Sequence, residues 1–390
     1  KEVHALEQLG PERVSRSIGQ RVVGVGPCRH LPRVAIVGGR VLVPGPEPLG
    51  AIEHGPAISA RAVAERVHGP DEPGARPPLH PGRAVRIVPS PAIIVTEGGT
   101  AIIKRRIRAA AIQASPVFLD KKATIEKFCS LIEEAGREGA EFIVTPETGI
   151  PGYPYWRGSF GYTDPESAAL WREAVIDYYE QSLHVERDTR PLCLAARSAD
   201  AHCVIGCSEQ DDRPGSRTLF NTMLFIGRDG RILGRHRKLI PTHQERIFWG
   251  MGDASDLRVF ETDIGRIGGL VCFENHVTLF KAAMAIKGEE IHAANWPGYW
   301  TYAGERRNVR DMSGAHGPYH LCDQDSAVRE YAFETQTFVV SASLIQPPET
   351  VPDSFPFKAR ANFRWAIGGS SIVNPFGMYL VEPVLGEETI

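Results

Sequence analysis

The sequence predicts an α/β fold in which helices cover layered β-sheets. From residue 106 onward, apolar runs of strand length alternate with segments whose apolar residues recur at helical spacing. Turns rich in Asp and Gly join several neighbouring strands, which is typical of β-hairpins. The chain has 390 residues, with 42% hydrophobic and 23% charged residues, and can therefore bury a sizeable core. Alternating helices and strands with hairpins among them favour sheets packed between helices.

The composition of the chain changes near residue 105. All 32 aromatic residues lie at or after Phe118, and residues 1–105 contain 14 Pro and 14 Gly. A segment of this length without aromatic side chains lacks the large apolar groups that dominate ordinary cores. We therefore expect residues 1–105 to be a disordered or non-native extension, such as an over-extended reading of a GC-rich upstream region. The alternative is a genuine small accessory domain. Residues 106–390 are expected to form one catalytic domain.

The first half of this domain reads as two helices among five strands. Strands are predicted at 106–113, 141–147, 203–208, 219–227 and 231–238. Asp120 is expected to cap a helix whose apolar residues recur at helical spacing up to Ala135. A second helix is predicted over about 166–183. The Arg-Asp-Gly sequence at 228–230 predicts a hairpin between the last two strands.

The second half begins with a hairpin. Strands at 258–261 and 266–272 are predicted to be joined by a turn at 263–265. A helix that carries Leu279, Ala283 and Ile286 follows and is expected to end at Gly288. Strands at 291–295, 338–343 and 370–373 complete the pattern. Residues 304–325 are rich in Arg, Gly and His, and we expect a loop there, over or beside the site.

Three predicted strands end in a side chain that can take part in catalysis. The apolar run 268–271 leads into Cys272, a second run leads into Glu147, and a third ends at Lys238. A thiol can act as a nucleophile, a carboxylate as its base, and an ammonium can stabilise developing negative charge. This combination is the one expected of a thiol hydrolase that acts on a carbon–nitrogen bond.

The segments around these residues resemble three motifs of the nitrilase, or carbon–nitrogen hydrolase, superfamily. Residues 142–154 (FIVTPETGIPGYP), 235–246 (RHRKLIPTHQER) and 272–275 (CFEN) are similar to its glutamate, lysine and cysteine motifs. Shorter matches occur at 220–222, 250–253, 295–297 and 334–338. Three motifs in this order and at this spacing form a specific signal, and the lysine motif is similar to that of the nitrilase branch. The resemblance covers residues 106–390 and nothing before them.

The resemblance implies an α-β-β-α sandwich of the nitrilase type and assigns roles to four residues. Cys272 would be the nucleophile, Glu147 the general base and Lys238 the cation of the site. Glu245 would be a second, auxiliary glutamate. The implied reaction converts a nitrile and water to a carboxylic acid and ammonia, through a thioimidate and an acyl-enzyme on the cysteine.

The substrate pocket and the assembly follow from the same resemblance. The aromatic residues next to the motifs are expected to line an apolar pocket for the organic part of the substrate: Tyr153, Trp249, Phe273 and Trp296. Phe273 stands where the family usually has Trp, so the size of this pocket is open. The chain ends about where family members enter their final core strand and C-terminal tail, and we expect a C-terminally truncated domain. A homodimer or larger homo-oligomer is the expected state.

Bulk properties argue against several other classes of function. The net charge of −3 gives no general affinity for nucleic acid or for an anionic membrane surface. No apolar stretch approaches the roughly 20 residues of a transmembrane helix. The seven cysteines include no CxxC pair, which argues against a zinc site and favours a reducing, cytoplasmic setting. The implied chemistry needs neither a metal nor an organic cofactor, so the expected partner is a small nitrile.

Several alternatives remain open at this point. The same Glu-Lys-Cys site could hydrolyse an amide or a carbamoyl group, and a non-catalytic interaction protein on this fold is a remote possibility. A histidine could instead form a Cys–His dyad, although none has a recognisable local signature: His236, His243, His276 and His292. We expect Glu274 to be structural, as a cap of the turn after Cys272, with a role beside the catalytic residues as the alternative.

Overall fold

The computed structural model describes residues 106–159, 164–298, 300–302, 323–359 and 364–390, and four short strands before residue 106. The chain divides into two compact units, Lys1–Pro78 and Leu79–Ile390. In the first unit, the described residues are the antiparallel strands β1 (Ala35–Val37) and β2 (Arg40–Leu42). In the second, β3 (Thr96–Glu97) and β4 (Thr100–Ala101) form a similar pair. Most of the predicted 1–105 extension, and most of the predicted 304–325 loop, lie outside the described residues.

A five-stranded sheet forms the first layer of the second unit, and its strand order follows the chain. Its strands are β5 (Ala109–Ala111), β6 (Phe142–Val144), β7 (His202–Gln210), β8 (Leu219–Ile226) and β9 (Ile232–Arg237). The first three run parallel, and β7–β8 and β8–β9 are antiparallel. Strand β9 therefore runs in the same direction as β7, and β7 runs in the same direction as β6. The residues that follow β6 and β9 therefore lie at the same edge of the sheet.

Four helices accompany this sheet: α1 (Lys121–Arg137), α2 (Pro165–Gln181), α3 (Val185–Asp188) and α4 (Arg190–Ser198). Helices α1, α3 and α4 cover its outer face, whereas α2 buries Trp171 and Tyr178 in a separate apolar cluster. The predicted cap of α1 is confirmed, since Asp120 Oδ1 accepts a hydrogen bond from the Ala123 N–H at 2.9 Å. Phe128 of α1 and Leu192 of α4 pack with Ile143 of the sheet in one apolar core. None of the helices in the described part of the chain is both long and apolar enough to cross a bilayer.

An eight-stranded sheet forms the second layer, with the order β10-β11-β12-β14-β16-β13, and with β15 and β17 also paired to β16. The strands are β10 (Phe260–Thr262), β11 (Gly265–Val271), β12 (Ile291–Trp296), β13 (Trp300–Tyr302), β14 (Phe338–Ser343), β15 (Ile345–Gln346), β16 (Arg364–Val373) and β17 (Tyr379–Leu385). The helices are α5 (Thr278–Ile286) and α6 (Asp323–Thr335). Strands β11, β12 and β14 are parallel.

A second apolar core joins the two sheets. Phe225 of β8 and Val144 of β6 pack in one cluster with Leu270 of β11, and this cluster extends to Met284 of α5 and Tyr331 of α6. Two sheets share this core, and helices lie on the outside of each, so the architecture is an α-β-β-α sandwich. The predicted fold class is confirmed.

The predicted elements agree with the structure in most places and differ at their limits. The strand predicted at 106–113 is reduced to β5, and the strand predicted at 370–373 is extended to β16. The sequence analysis did not find α3, α4, α6, β13, β15 or β17. On α5, Leu279 and Ile286 are 77% and 87% exposed, so part of its apolar surface faces away from the core.

Candidate active site

Glu147 is held by a tight turn after β6. The turn packs against β7 at Gly206, where a Cβ would lie 1.9 Å from the carbonyl oxygen of Pro146, so only glycine allows this approach. The Gly206 N–H donates to Thr145 Oγ1 at 2.9 Å, and Thr148 adopts a positive φ of 45° to reverse the chain. The result is a fully buried carboxylate at the edge of the first sheet.

Lys238 follows β9 at that same edge. Its backbone N–H donates to the carbonyl of Asn221 on β8 at 2.7 Å, and its own carbonyl accepts from the Gly252 N–H at 2.8 Å. The ammonium is fully buried between two carboxylates. Its Nζ lies 3.1 Å from Glu147 Oε1 and 2.7 Å from Glu245 Oε2.

Glu245 lies on a short 3₁₀ turn, His243–Ile247, that follows Lys238. Its Oε2 also accepts the Thr242 N–H at 2.7 Å, which caps the turn. Its Oε1 accepts the hydroxyl of Tyr153 at 2.7 Å. Both oxygens of Glu245 are thus engaged, which fixes the carboxylate beside the ammonium of Lys238.

Cys272 follows β11 of the second sheet and begins the 3₁₀ turn Cys272–His276. Its φ is +51°, a left-handed conformation that costs a non-glycine residue about 1 kcal/mol or more and that is frequent at functional sites. Asn275 holds this backbone by donating from Nδ2 to the Cys272 carbonyl at 2.9 Å and to the Leu270 carbonyl at 3.2 Å. The thiol is buried at the interface between the two sheets.

These side chains meet in one cluster. The Cys272 Sγ and one oxygen each of Glu147 and Glu245 lie within 4.8 Å of one another. Burial raises the pKa of Glu147 to about 7, against the opposing charge of Lys238 and with a further rise from Glu245. Burial lowers the pKa of Lys238, but the charges of Glu147 and Glu245 outweigh it and raise that pKa, so the ammonium stays charged. The structure thus brings together the four residues that the sequence assigned to catalysis.

Comparison with known proteins places this geometry in a family. The sequence model of the carbon–nitrogen hydrolase family matches residues 108–390. The chain belongs to the carbon–nitrogen hydrolase family. Over 288 residues it is 36% identical to a nitrilase of Pseudomonas syringae pv. syringae, with 73% of this chain and 79% of that protein covered. Over 286 residues it is 36% identical to a bifunctional nitrilase/nitrile hydratase of Lupinus angustifolius, with 71% and 74% covered.

Solved structures support the fold of this carbon–nitrogen hydrolase. The carbon–nitrogen hydrolase of Helicobacter pylori matches it with a TM-score of 0.54 and 18% identity, covering 72% of this chain and 86% of that chain. A match at 18% identity supports the fold and says nothing about the activity. The resemblance read from the sequence is confirmed, including its nitrilase branch.

A metal ion has no vacant position between the two glutamates. The two carboxylates and the thiol of this hydrolase could in principle bracket a cation. The Lys238 ammonium, however, already contacts both carboxylates at hydrogen-bond distance. A divalent ion would have to displace this amine, and its pKa is raised by the same two carboxylates.

Glu274 connects the lysine and cysteine motifs of the hydrolase. Its Oε1 accepts the Leu239 N–H at 2.8 Å, and its Oε2 accepts the Val271 N–H at 2.9 Å and lies 2.7 Å from His236 Nε2. One carboxylate therefore holds the residue after Lys238 and the residue before Cys272 together. The predicted structural role of Glu274 is confirmed. Besides capping the turn after Cys272, as the sequence suggested, its carboxylate also contacts Leu239 and His236 near the end of β9.

Two of the four histidines are engaged in structural bonds. His236 contacts Glu274 through Nε2, and its Nδ1 lies 3.3 Å from the Asp256 carbonyl. His292 lies between Asn275 and Glu289, at 2.8 and 2.9 Å, and so supports the turn at Cys272. With both ring nitrogens occupied in each case, neither histidine offers the nitrogen that a Cys–His dyad requires.

The four aromatic residues expected at the pocket differ in their contacts. Tyr153 touches the site through its hydroxyl on Glu245, and its ring centroid lies 5.7 Å from that of Trp249. Trp296 is buried, whereas Phe273 is 46% exposed with its ring 4.8 Å from that of His276. Substrate binding by these four residues stays a prediction.

The sequence analysis missed the residues that hold the catalytic groups. Asn221 Nδ2 donates to Glu147 Oε1 at 2.6 Å, and it was noted only as part of a matching tripeptide. The hydrogen bonds that join Asn275, His292 and Glu289 have no local signature, since Asn275 is 17 residues from His292 and meets it only in the fold. A surface cavity of about 960 Å³ lies elsewhere, lined by residues such as Tyr179, Arg187 and Asp211, and by none of the four catalytic candidates.

Proposed function

We propose that this carbon–nitrogen hydrolase is a nitrilase that converts a nitrile and water to a carboxylic acid and ammonia. The observation that carries the proposal is the meeting of the Cys272 thiol with Glu147 and Glu245 within 4.8 Å, around the buried ammonium of Lys238. The relatives at 36% identity that are named nitrilases favour a nitrile over an amide as the substrate.

The first half of the proposed reaction forms a covalent bond to sulfur. Glu147 takes the proton of the Cys272 thiol, and the sulfur electron pair forms a bond to the nitrile carbon. Glu147 gives that proton to the nitrile nitrogen as its triple bond becomes a double bond, which gives a thioimidate. Sulfur suits this step because a thiolate is a strong nucleophile.

The second half releases ammonia and then the acid. Water adds to the thioimidate carbon, and Lys238 stabilises the charge of the tetrahedral intermediate. Glu147 transfers the two protons of that water in turn to the nitrogen, which leaves as ammonia and yields a thioester. A second water then releases the carboxylic acid and restores the thiol. A base with a pKa of about 7 suits this work, because it both accepts and returns protons near neutral pH.

Ammonia release from matched nitrile and amide substrates tests the proposal. The expected result is release from an aliphatic or arylacetonitrile at a kcat/KM well above that for the corresponding amide, with none from Cys272→Ala. Release from the amide alone would assign an amidase or carbamoyl hydrolase instead. A wild-type chain inert to both classes, with a Cys272 thiol unreactive to iodoacetamide, would favour the non-catalytic alternative. Chromatography of the products measures the ratio of acid to amide.

We also propose that the enzyme is a homo-oligomer that works in the reducing cytoplasm, with a small nitrile as its partner. Leu279 and Ile286 on α5 and Phe333 on α6 expose large apolar side chains, which favours association. No disulfide joins the five cysteines within the described ranges, in keeping with a reducing compartment. Light scattering coupled to size-exclusion chromatography measures the assembly, and a monomer at micromolar concentration would contradict it.

A further inference from the structure

Asn221 contacts both catalytic residues that the first sheet provides, Glu147 and Lys238. It lies on β8 with 1% of its surface exposed. Its side-chain Nδ2 donates to Glu147 Oε1 at 2.6 Å, and its backbone carbonyl accepts the Lys238 N–H at 2.7 Å. One residue of a rigid strand thus sets the position of the base and of the cation.

The two oxygens of Glu147 have different surroundings. Oε1 receives two donors, the amide of Asn221 at 2.6 Å and the ammonium of Lys238 at 3.1 Å. Oε2 is buried and has no hydrogen-bond partner within the described residues. A proton on Oε1 would have to face an N–H from each of these donors, and neither group can accept a hydrogen bond through the nitrogen it presents. A proton on Oε2 meets no such conflict.

We infer that Asn221 is a positioning residue that keeps Glu147 Oε1 as a permanent acceptor, so that Oε2 is the oxygen that takes and returns the Cys272 proton. In the forward step the S–H bond breaks, an O–H bond forms on Oε2, and the sulfur keeps the electron pair for attack on carbon. The inference deepens the proposed function, because it rests on Glu147 being the base of that reaction.

Asn221 also tunes when the base is available. The charged and titratable groups that face Glu147 are Lys238, Glu245, Cys272, Tyr153, Tyr155 and Tyr178. Among the neighbours that lower the pKa of Glu147, Asn221 contributes a hydrogen bond and no charge. Removal of this donor therefore raises the pKa of Glu147 further and leaves the charges of the site unchanged. The base then becomes available only at a higher pH.

Two variants and a matched control test the inference. Asn221→Leu keeps the size of the side chain and removes the donor, and Asn221→Ser is a smaller replacement in case the first unfolds. Thr222→Val is the control, since the hydroxyl of this neighbour on β8 donates to Glu209 at 2.7 Å, away from Glu147. Two pH profiles are measured for each protein: the rate of Cys272 alkylation by iodoacetamide, followed by intact mass, and kcat/KM for a nitrile.

The acidic limb of both profiles is expected to move up by about one pH unit in the Asn221 variants, the shift for loss of a hydrogen bond to a charged acceptor. At pH 6 this corresponds to a loss of about tenfold, and the rates approach those of the wild type above the limb. Thr222→Val should keep the wild-type limb. An unshifted limb in the folded Asn221 variants, or an equal shift in Thr222→Val, would overturn the inference. The acidic limb of the alkylation profile could shift in the Asn221 variants although the wild type releases no ammonia from nitriles. That result would support the role of Asn221 in proton transfer and reject the nitrilase function.

Discussion

At the scale of single residues, the site is a set of buried charges that depend on one another. The Lys238 ammonium is fully buried, and it is stabilised there only because Glu147 and Glu245 lie at hydrogen-bond distance. The Glu147 carboxylate, in turn, is kept from a still higher pKa by that ammonium. Loss of any one of the three groups that act on the substrate is therefore expected to cost as much activity as loss of all three.

Cys272→Ala, Lys238→Ala and Glu147→Gln are each expected to reduce kcat by about 10⁴-fold or more, because the nucleophile, cation and base act in the same steps. Double variants should be no worse than the single ones. Steady-state kinetics with a nitrile and circular dichroism of each protein provide the measurement. Cys129→Ala, at a half-buried cysteine of α1, is the control and should retain activity. A single variant with substantial turnover would remove that residue from the mechanism.

Phe273→Trp is expected to change the preference for substrate size. The residue follows the nucleophile on the chain, and a larger ring there should favour short aliphatic nitriles over arylacetonitriles by about 10-fold to 200-fold in relative kcat/KM. The control is Phe376→Trp at another exposed phenylalanine, in the turn between β16 and β17. An unchanged ratio in Phe273→Trp would mean that the pocket is built from other residues. The 46% exposure of Phe273 makes this a sharp test of its predicted role.

At the scale of elements, one carboxylate joins the ends of β9 and β11. Glu274 accepts backbone N–H groups from Leu239 and Val271 and pairs with His236. Burial raises the pKa of Glu274, but the charge and hydrogen bonds of His236 and the two amides outweigh it and lower that pKa. Burial likewise lowers the pKa of His236, and Glu274 reverses this and raises it. The connection between the two sheets at the site therefore depends on pH.

Glu274→Gln is expected to destabilise the fold by about 3 kcal/mol, because it replaces an acceptor by a donor that faces a backbone N–H and leaves His236 unpaired. The contribution of the pair is complete above the usual Glu pKa of 4.5 and below the usual His pKa of 6.5. It is lost as pH rises through the raised pKa of His236, or falls through the lowered pKa of Glu274. The difference in Tm between wild type and variant should thus be larger at pH 6 than at pH 9.

A half-exposed carboxylate provides the comparison for this prediction. Asp263 is 45% exposed, and it lies 2.8 Å from Nε2 of the buried His202 and 2.7 Å from Nη1 of Arg228. Asp263→Asn should change the stability by no more than about 1 kcal/mol, since exposed pairs contribute little. Differential scanning fluorimetry across pH measures both variants. Equal losses in the two, or a loss in Glu274→Gln that does not vary with pH, would contradict a buried pair that joins the strands.

The elements that the sequence predicted are those with a strong local signal. The helix capped by Asp120 and the hairpin at 228–230 were found because capping and turn residues act on their immediate neighbours. The helix α6 and the strand β17 were missed because their apolar residues show no clear period, and tertiary packing decides their state. Glu147, Lys238 and Cys272 were predicted because each stands at a strand end. Asn221 reaches Glu147, and Glu274 reaches Leu239 and His236, only when distant strands pair, which local patterns do not record.

At the scale of the whole molecule, the site needs both sheets. Glu147 and Lys238 come from the parallel-running ends of β6 and β9, and Cys272 comes from the end of β11 in the other sheet. The shared core between the sheets is what brings the thiol to the base. Loss of packing between the layers should therefore abolish activity before it abolishes secondary structure.

Deletion of residues 1–100 is expected to leave both folding and activity intact. The region that matches the family begins at residue 108, and the first strand of the five-stranded sheet, β5, begins at Ala109. A segment without aromatic residues and rich in Pro and Gly has little apolar area to offset the entropy of ordering it. Deletion of residues 1–112 is the matched control, because it also removes β5 and the fully buried Ile112, and it should unfold the domain. Thermal melts and ammonia release are measured for both chains. A fall of several degrees in Tm for the shorter deletion would show that residues 1–100 form a packed accessory domain.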